Sequence, residues 1–187
     1  MSPNNSKSTY RQFIEAFSGW EMSMGGLISN RQGEWWLIGQ LLLITAHLLP
    51  AWPPSEKSSI AWSAISIVFG GCLFFTGIFL AAKAFIRLGA SLSPLADPKP
   101  GAALVTTGAY SDCRHPLYKG LILSSSGVAI FLTSAFHLIL LIALCFLLRG
   151  KAQREEKKLL LIHPEYKSYL ANTPAIIRDL PILDWRA

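Results

Sequence analysis

Four long apolar runs constrain the fold of this 187-residue chain more than any other feature of its sequence. They lie at about residues 35–52, 60–86, 116–133 and 135–149. Half of all residues are hydrophobic and only 15% are charged, which is unusual for a soluble domain of this length. At a rise of about 1.5 Å per residue, the first run can cross a hydrocarbon core of about 30 Å. The sequence therefore predicts an all-α integral membrane protein with about four transmembrane helices.

The third and fourth runs are short for a full crossing. Thr133 and Ser134 can turn the chain between them. We therefore expect a tilted helical hairpin whose two outer ends lie close together.

The remaining segments complete the predicted organisation. Residues 1–34 form an N-terminal cytosolic or interfacial segment, with helical spacing of apolar residues over 9–24, and residues 35–187 form the membrane domain. The Gly/Pro/Ser-rich loop 89–108 has the length typical of a functional lid or binding loop. A cytosolic helical segment follows residue 149 and is broken or bent at Pro164.

The distribution of Lys and Arg predicts the orientation in the membrane. With four spans, residues 1–34, 83–119 and 149–187 share one side and hold 3, 5 and 8 of the 17 basic residues, whereas the opposite loops hold only Lys57. This asymmetry places both termini in the cytoplasm, with contacts to anionic membrane lipids. It argues against nucleic acid as a partner of this basic chain. The three cysteines lack metal-site spacing, so no metal site is predicted.

A polar motif stands directly before the third run, at residues 108–120. Pro116 suits the first position of a helix, so a helix should begin there. The first N–H groups of such a helix, beside Arg114 and His115, would form a site for an anionic group.

A second charged cluster follows the fourth run and contains Lys151, Arg154, Glu155 and Glu156. Taken alone, it would be a solvated helix face with i,i+4 pairs such as Lys151–Glu155. The predicted hairpin, however, brings this cluster beside the first motif. Cations and carboxylates in one place suit a zwitterionic, amino-acid-like ligand.

The two motifs resemble those of the isoprenylcysteine carboxyl methyltransferase and phospholipid methyltransferase superfamily. Gly108-Ala109-Tyr110 with Arg114-His115-Pro116-Leu117-Tyr118-Lys119-Gly120 is similar to its motif G-P-Y…R-H-P-x-Y-x-G, and the later residues Glu155-Glu156-x-x-Leu159 with Glu165-Tyr166-x-x-Tyr169 are similar to E-E-x-x-L…E-Y-x-x-Y. Ala109 replaces the usual Pro. His163-Pro164 stands where an aromatic-Gly pair is common, which leaves the register of Tyr166 and Tyr169 open.

The resemblance implies an integral-membrane methyltransferase that uses S-adenosylmethionine and acts on a lipid-like or prenylated substrate. It implies catalytic roles for Glu156 and Arg154, Arg149 being the other candidate for the usual Arg before the Glu pair. The implied cofactor-binding residues are Tyr110, Arg114, His115, Pro116, Tyr118, Gly120, Glu155 and Glu156.

The acceptor group stays open between a carboxylate, an amine and a thiol. A carboxylate needs no base, whereas an amine or a thiol would need Glu155, Glu156 or His115. Two other functions remain as alternatives: an NADPH-dependent membrane reductase of the sterol-reductase type, and a non-catalytic membrane scaffold or carrier. Binding of NADPH would favour the reductase. Unchanged ligand binding and an unchanged cellular phenotype after substitution of His115 and Glu156 would favour the scaffold or carrier.

Overall fold

A computed structural model describes residues 24–53, 60–180 and 183–185 of the chain. These residues form helices and loops and contain no strand, which confirms the predicted all-α class. The helix predicted over residues 9–24 lies outside the described residues except for its last position.

Seven α-helices occur in the described ranges. In chain order they are α1 (Met24–Ser29), α2 (Glu34–Ala46), α3 (Ile60–Leu88), α4 (Ala109–Asp112), α5 (Pro116–Phe131), α6 (Ala135–Ile162) and α7 (Tyr166–Asn172). A short 3-10 turn, Gly89–Ser91, leads from α3 into the long loop that ends at α4.

Helices α3 and α6 are long and apolar enough to cross a membrane, and α2 and α5 are shorter apolar helices. Both long helices expose large apolar side chains such as Phe75 and Phe79 on α3 and Ile139 and Phe146 on α6. The core helix of a soluble protein would bury such side chains, so their exposure favours a lipid environment.

Two helices end elsewhere than the apolar runs do. Helix α2 ends at Ala46. The N–H groups of His47, Leu48 and Leu49 then donate to the carbonyls three residues earlier in the chain. Pro50 cannot donate a backbone hydrogen bond, so the chain leaves the helix before the end of its apolar run. Helix α6 instead continues past its apolar part, residues 135–148, into a polar half that reaches Ile162 just before Pro164.

Glycines set the close packing of α3 against α5. A Cβ on Gly70 or Gly77 of α3 would lie 2.6 or 2.5 Å from the nearest backbone atom of α5. The corresponding distances to α3 for Gly120 and Gly127 of α5 are 2.6 and 2.5 Å, so a larger side chain would push these helices apart. Helix α6 packs on the other side of α5 and also contacts α2.

The chain after α7 folds back onto the motif before α5. The N–H groups of Arg114 and His115 donate to the carbonyls of Pro174 and Ala175, at 2.9 and 3.0 Å. A core that includes Tyr118, Leu148 and Trp185 forms behind this contact. The returning tail therefore fixes the backbone from which the motif side chains project.

Candidate active site

The two charged clusters meet where the polar half of α6 passes the start of α5. Arg114 Nε and His115 Nε2 both donate to Oε1 of Glu156, each at 2.7 Å. All three side chains are buried. Burial opposes ionisation of Glu156, but its hydrogen bonds and charge interactions with His115 and Arg114 outweigh that effect and lower its pKa.

The guanidinium of Arg114 is held on two sides and unpaired on the third. Its Nη1 donates to the carbonyls of Leu170 and Thr173, and its Nε to Glu156. Its Nη2 is buried and finds no acceptor among the described residues. Because leaving a buried donor without a partner costs about 1–3 kcal/mol, this nitrogen is suited to an anionic ligand.

Glu155 differs from its neighbour Glu156. Its Oε2 accepts a hydrogen bond of 3.1 Å from the hydroxyl of Tyr118 and lies 4.0 Å from His115 Nδ1. Its side chain is 30% exposed, against 8% for Glu156. Glu155 therefore keeps a carboxylate surface that a ligand can contact.

Two cavities adjoin this cluster. The smaller, of about 70 Å³, lies under the long loop and α7 and has the larger share of polar surface, so we call it the polar cavity; a mostly apolar one of about 460 Å³ lies between α2, α3 and α5. The residues that line both are Leu88, Ser93, Tyr110, Arg114, His115 and Glu155. The charged cluster thus forms the boundary between a smaller, more polar cavity and a larger, mostly apolar one.

Three tyrosines complete the polar cavity. Tyr110, Tyr166 and Tyr169 all line it, and the hydroxyl of Tyr169 donates to the carbonyl of Tyr110 at 2.5 Å. Burial raises the pKa of all three phenols, so they stay neutral at physiological pH. The structure thereby brings Tyr166 and Tyr169, whose register the sequence left open, to the same cavity wall.

Some predicted site residues lie elsewhere. Pro116 begins α5, as expected from its fixed φ, and Gly120 contacts Ala81 and Gly77 of α3. Neither is among the residues lining the two cavities. Their observed contribution is to begin α5 and to let it approach α3.

Arg154 contacts the long loop instead of the charged cluster. Its Nε donates to Asp97 Oδ1 at 2.7 Å, and its Nη2 donates to the carbonyl of Arg31. Lys158 Nζ lies 3.6 Å from the other oxygen of Asp97. Arg154 therefore anchors the loop that covers the polar cavity, and its predicted catalytic role stays a prediction.

A cation of α6 that does point inward is Lys151, whose segment, taken alone, would have been a solvated helix face. It is buried, and its Nζ donates to Gln40 Oε1 at 2.8 Å and to the carbonyl of Pro94 at 2.7 Å. Lys151 precedes Glu155 by one helical turn, so the spacing placed both on one face. The predicted hairpin brought this cluster beside the first motif, but nothing in the sequence indicated which of its basic residues is buried.

The residues present fit the amino-acid end of S-adenosylmethionine. The unpaired Nη2 of Arg114 suits its carboxylate, and the accessible carboxylate of Glu155 suits its ammonium group. Both side chains line the same two cavities.

The comparison with known families agrees with this geometry. Residues 65–163 match the model of the phospholipid methyltransferase family, and this range contains the charged cluster. The chain belongs to that family. The protein-S-isoprenylcysteine O-methyltransferase of Mus musculus is 30% identical over 136 residues, which cover 71% of this chain. The match covers 45% of that relative, so the chain spans just under half of its length.

Proposed function

We propose that this protein is an integral-membrane methyltransferase that transfers a methyl group from S-adenosylmethionine to a lipid-like or isoprenylated acceptor. One observation carries the proposal. An unpaired guanidinium nitrogen, Arg114 Nη2, and an accessible carboxylate, that of Glu155, belong to side chains that line the same two cavities. Membership of the methyltransferase family supports the same activity.

Arg114 would bind the cofactor carboxylate and Glu155 its ammonium group. Glu156 would act as a positioning residue, because its Oε1 already accepts from both Arg114 and His115. Together with the carbonyls of Leu170 and Thr173 it prevents rotation of the guanidinium, so that Nη2 keeps one direction. Such preorganisation lowers the entropic cost of binding.

S-adenosylmethionine, when bound, supplies an electrophilic methyl group on a sulfonium. Most of the rate of such a displacement comes from alignment and from exclusion of water. The buried position of His115 and Tyr110 at the cavity boundary suits exclusion of water. If the acceptor is an amine or a thiol, Glu155 is the carboxylate with access to both cavities and would accept the proton.

The apolar cavity would hold the chain of the acceptor. Its volume of about 460 Å³ lies within the usual range for ligand sites, about 300–1,000 Å³. Five leucines and Phe85 are among the residues that line it, and its surface is mostly apolar, as an acyl or isoprenyl chain requires. The relative of known activity acts on S-isoprenylcysteine by name, which supports an acceptor of this kind.

The polar cavity, at about 70 Å³, is too small for a whole cofactor, so the loop 89–108 would have to move for entry. Four membrane-embedded helices with both termini in the cytoplasm, as the basic residues predict, would place this entrance on the cytosolic face. The cofactor would then enter from water and the acceptor from the bilayer.

Calorimetry in a neutral detergent tests the proposal. Wild-type protein should bind S-adenosylmethionine and its demethylated product, and Glu155→Gln should weaken that binding by roughly 10- to 100-fold because the ammonium loses its counter-charge. Glu165→Gln is the matched control, since Glu165 is 62% exposed and lines neither cavity. Absence of binding by folded wild-type protein would contradict the proposal, and binding of NADPH instead would support the reductase alternative.

A further inference from the structure

Lys151 is a buried cation that forms no direct ion pair among the described residues. Only 3% of its surface is exposed, and it is absent from the ion pairs that the described residues form within 4.0 Å. It lies in the polar half of α6, among the residues that line the apolar cavity. Burying an unpaired charge is costly, so this position calls for an explanation.

The neighbours of Lys151 fix its ammonium group at the cavity wall. Two of its three N–H groups donate hydrogen bonds, one to the side-chain oxygen of Gln40 in α2 and one to the carbonyl of Pro94 in the loop. The ring of Tyr118 lies 5.7 Å from Nζ on another side. All four residues line the apolar cavity, so the third N–H group has a cavity beside it.

We infer that Lys151, oriented by Gln40 and the Pro94 carbonyl, is a specificity residue that binds an anionic group of the acceptor beside its apolar chain. The inference rests on the proposed function and deepens it. With Arg114 and Glu155 assigned to the cofactor, Lys151 is the charge left for the acceptor. Its partner would be a carboxylate or a phosphate, whereas an ammonium group at this position would be repelled.

A merely structural role must be distinguished from this one. Lys151 also connects α2, the loop and α6, so its loss could loosen the cavity for every ligand. A loosened cavity would bind charged and neutral acceptors with equally reduced affinity. The ratio of the two affinities therefore reports recognition of charge alone.

The test compares three ligands with the same C15 isoprenyl chain: N-acetyl-S-farnesylcysteine, its carboxamide, and farnesyl phosphate. Binding to the full chain is measured in neutral maltoside micelles. The wild type should bind at least one of the two anions roughly 10- to 100-fold more tightly than the carboxamide. Comparison of N-acetyl-S-farnesylcysteine with farnesyl phosphate shows whether the site prefers a carboxylate or a phosphate.

Lys151→Met should abolish this preference and Lys151→Arg should retain it. Lys157→Met, which removes an exposed lysine of the same helix, should behave as wild type. Binding of S-adenosylmethionine shows that each variant is folded, because Lys151 does not line the polar cavity. Should Lys151→Met fail to fold, Lys151→Gln takes its place, because it also removes the charge but keeps a donor for the Pro94 carbonyl.

A pH series supplies a second readout. Burial lowers the pKa of Lys151 to about 8, although the charge of Glu155 opposes the shift, and Tyr118 and Gln40 add no charge near neutral pH. The ammonium is charged below that value, so the anion preference should fall as the pH rises from 7 to 10. In Lys151→Arg the guanidinium stays charged and the preference should persist.

Three results would overturn the inference: equal binding of anions and carboxamide by wild type, an unchanged ratio in Lys151→Met, or a ratio independent of pH. In each case intact binding of S-adenosylmethionine would leave the proposed methyltransferase function standing. Loss of cofactor binding by wild type would instead remove the proposed function itself.

Discussion

The two ends of the helical bundle bury polar side chains in different ways. At the end beside α4 and α7, the buried groups include the charged side chains of Arg114, Lys151 and Glu156. At the opposite end, where α2 stops and α6 begins, His47 contacts the Ser125 hydroxyl. There His137 Nδ1 lies 2.9 Å from Ser134 Oγ.

Each end holds one buried nitrogen without a partner among the described residues, Arg114 Nη2 and His137 Nε2, so the difference between the ends lies in charge. A charge buried in a protein interior is costly unless it is paired, so a network that leaves one guanidinium nitrogen and one ammonium beside cavities is suited to ligands. Imidazole and hydroxyl groups cost less to bury and can hold helices together. The rings of His47 and His137 meet at a centroid distance of 5.8 Å, which is a packing contact.

The largest expected effect comes from breaking the charged end. Glu156→Ala removes the acceptor of Arg114 and His115 and leaves a buried guanidinium uncompensated. Loss of one partner of a buried ion pair typically costs about 3–5 kcal/mol, so we expect a free energy of unfolding lower by about that amount. Thermal and chemical unfolding in detergent would measure it.

Glu165→Gln serves as the control for an exposed carboxylate. Binding of S-adenosylmethionine by Glu156→Ala should be lost as well, because the guanidinium is no longer fixed. Normal stability of Glu156→Ala would show that the fold does not depend on the ion network. The two ends would then not differ in what they contribute to stability.

The meeting of Arg114 with Glu156 was predictable from the sequence because it depends on local rules. Pro116 marks the start of α5, and a short turn at Thr133 and Ser134 makes α5 and α6 antiparallel neighbours. Two charged clusters at the outer ends of such a hairpin must lie close together.

The inward face of α6 was not predictable in the same way. Lys151 and Arg154 are both basic residues of one polar stretch, yet the first is buried and the second reaches the loop. Which of them points inward depends on where α2 and the loop pack, and thus on contacts distant in sequence. The return of the tail to Arg114 and His115 is a long-range contact of the same kind.

A smaller effect is expected at the neutral end. Ser125→Ala removes the hydroxyl partner of His47 Nε2 and leaves a partly buried ring nitrogen without it. Such a loss typically costs about 1–3 kcal/mol, so the unfolding transition should shift less than in Glu156→Ala. Binding of S-adenosylmethionine to Ser125→Ala should equal that of wild type. Ser126→Ala is the control, because among the described residues the Ser126 hydroxyl donates to Ile122 of its own helix, α5. Impaired cofactor binding in Ser125→Ala alone would assign a functional role to this end.

The smallest effect on stability is expected from the loop anchor. Asp97 pairs with Arg154 and Lys158, whose side chains are 28% and 51% exposed, and ion pairs of this kind contribute about 0–1 kcal/mol. Asp97→Asn keeps an oxygen acceptor and removes the charge, so the free energy of unfolding should change by less than about 1 kcal/mol.

The same substitution should make the loop open more often, because it weakens one of the contacts that hold the loop, beside the backbone contact from Asp97 to Gln32 and the Lys151–Pro94 hydrogen bond. Since the loop covers the polar cavity, S-adenosylmethionine should associate and dissociate faster with Asp97→Asn than with wild type in stopped-flow measurements. Asp179→Asn provides the comparison, because Asp179 is exposed and lines neither cavity. Unchanged exchange rates in Asp97→Asn would show that the cofactor reaches Arg114 by a route that does not require this loop to open.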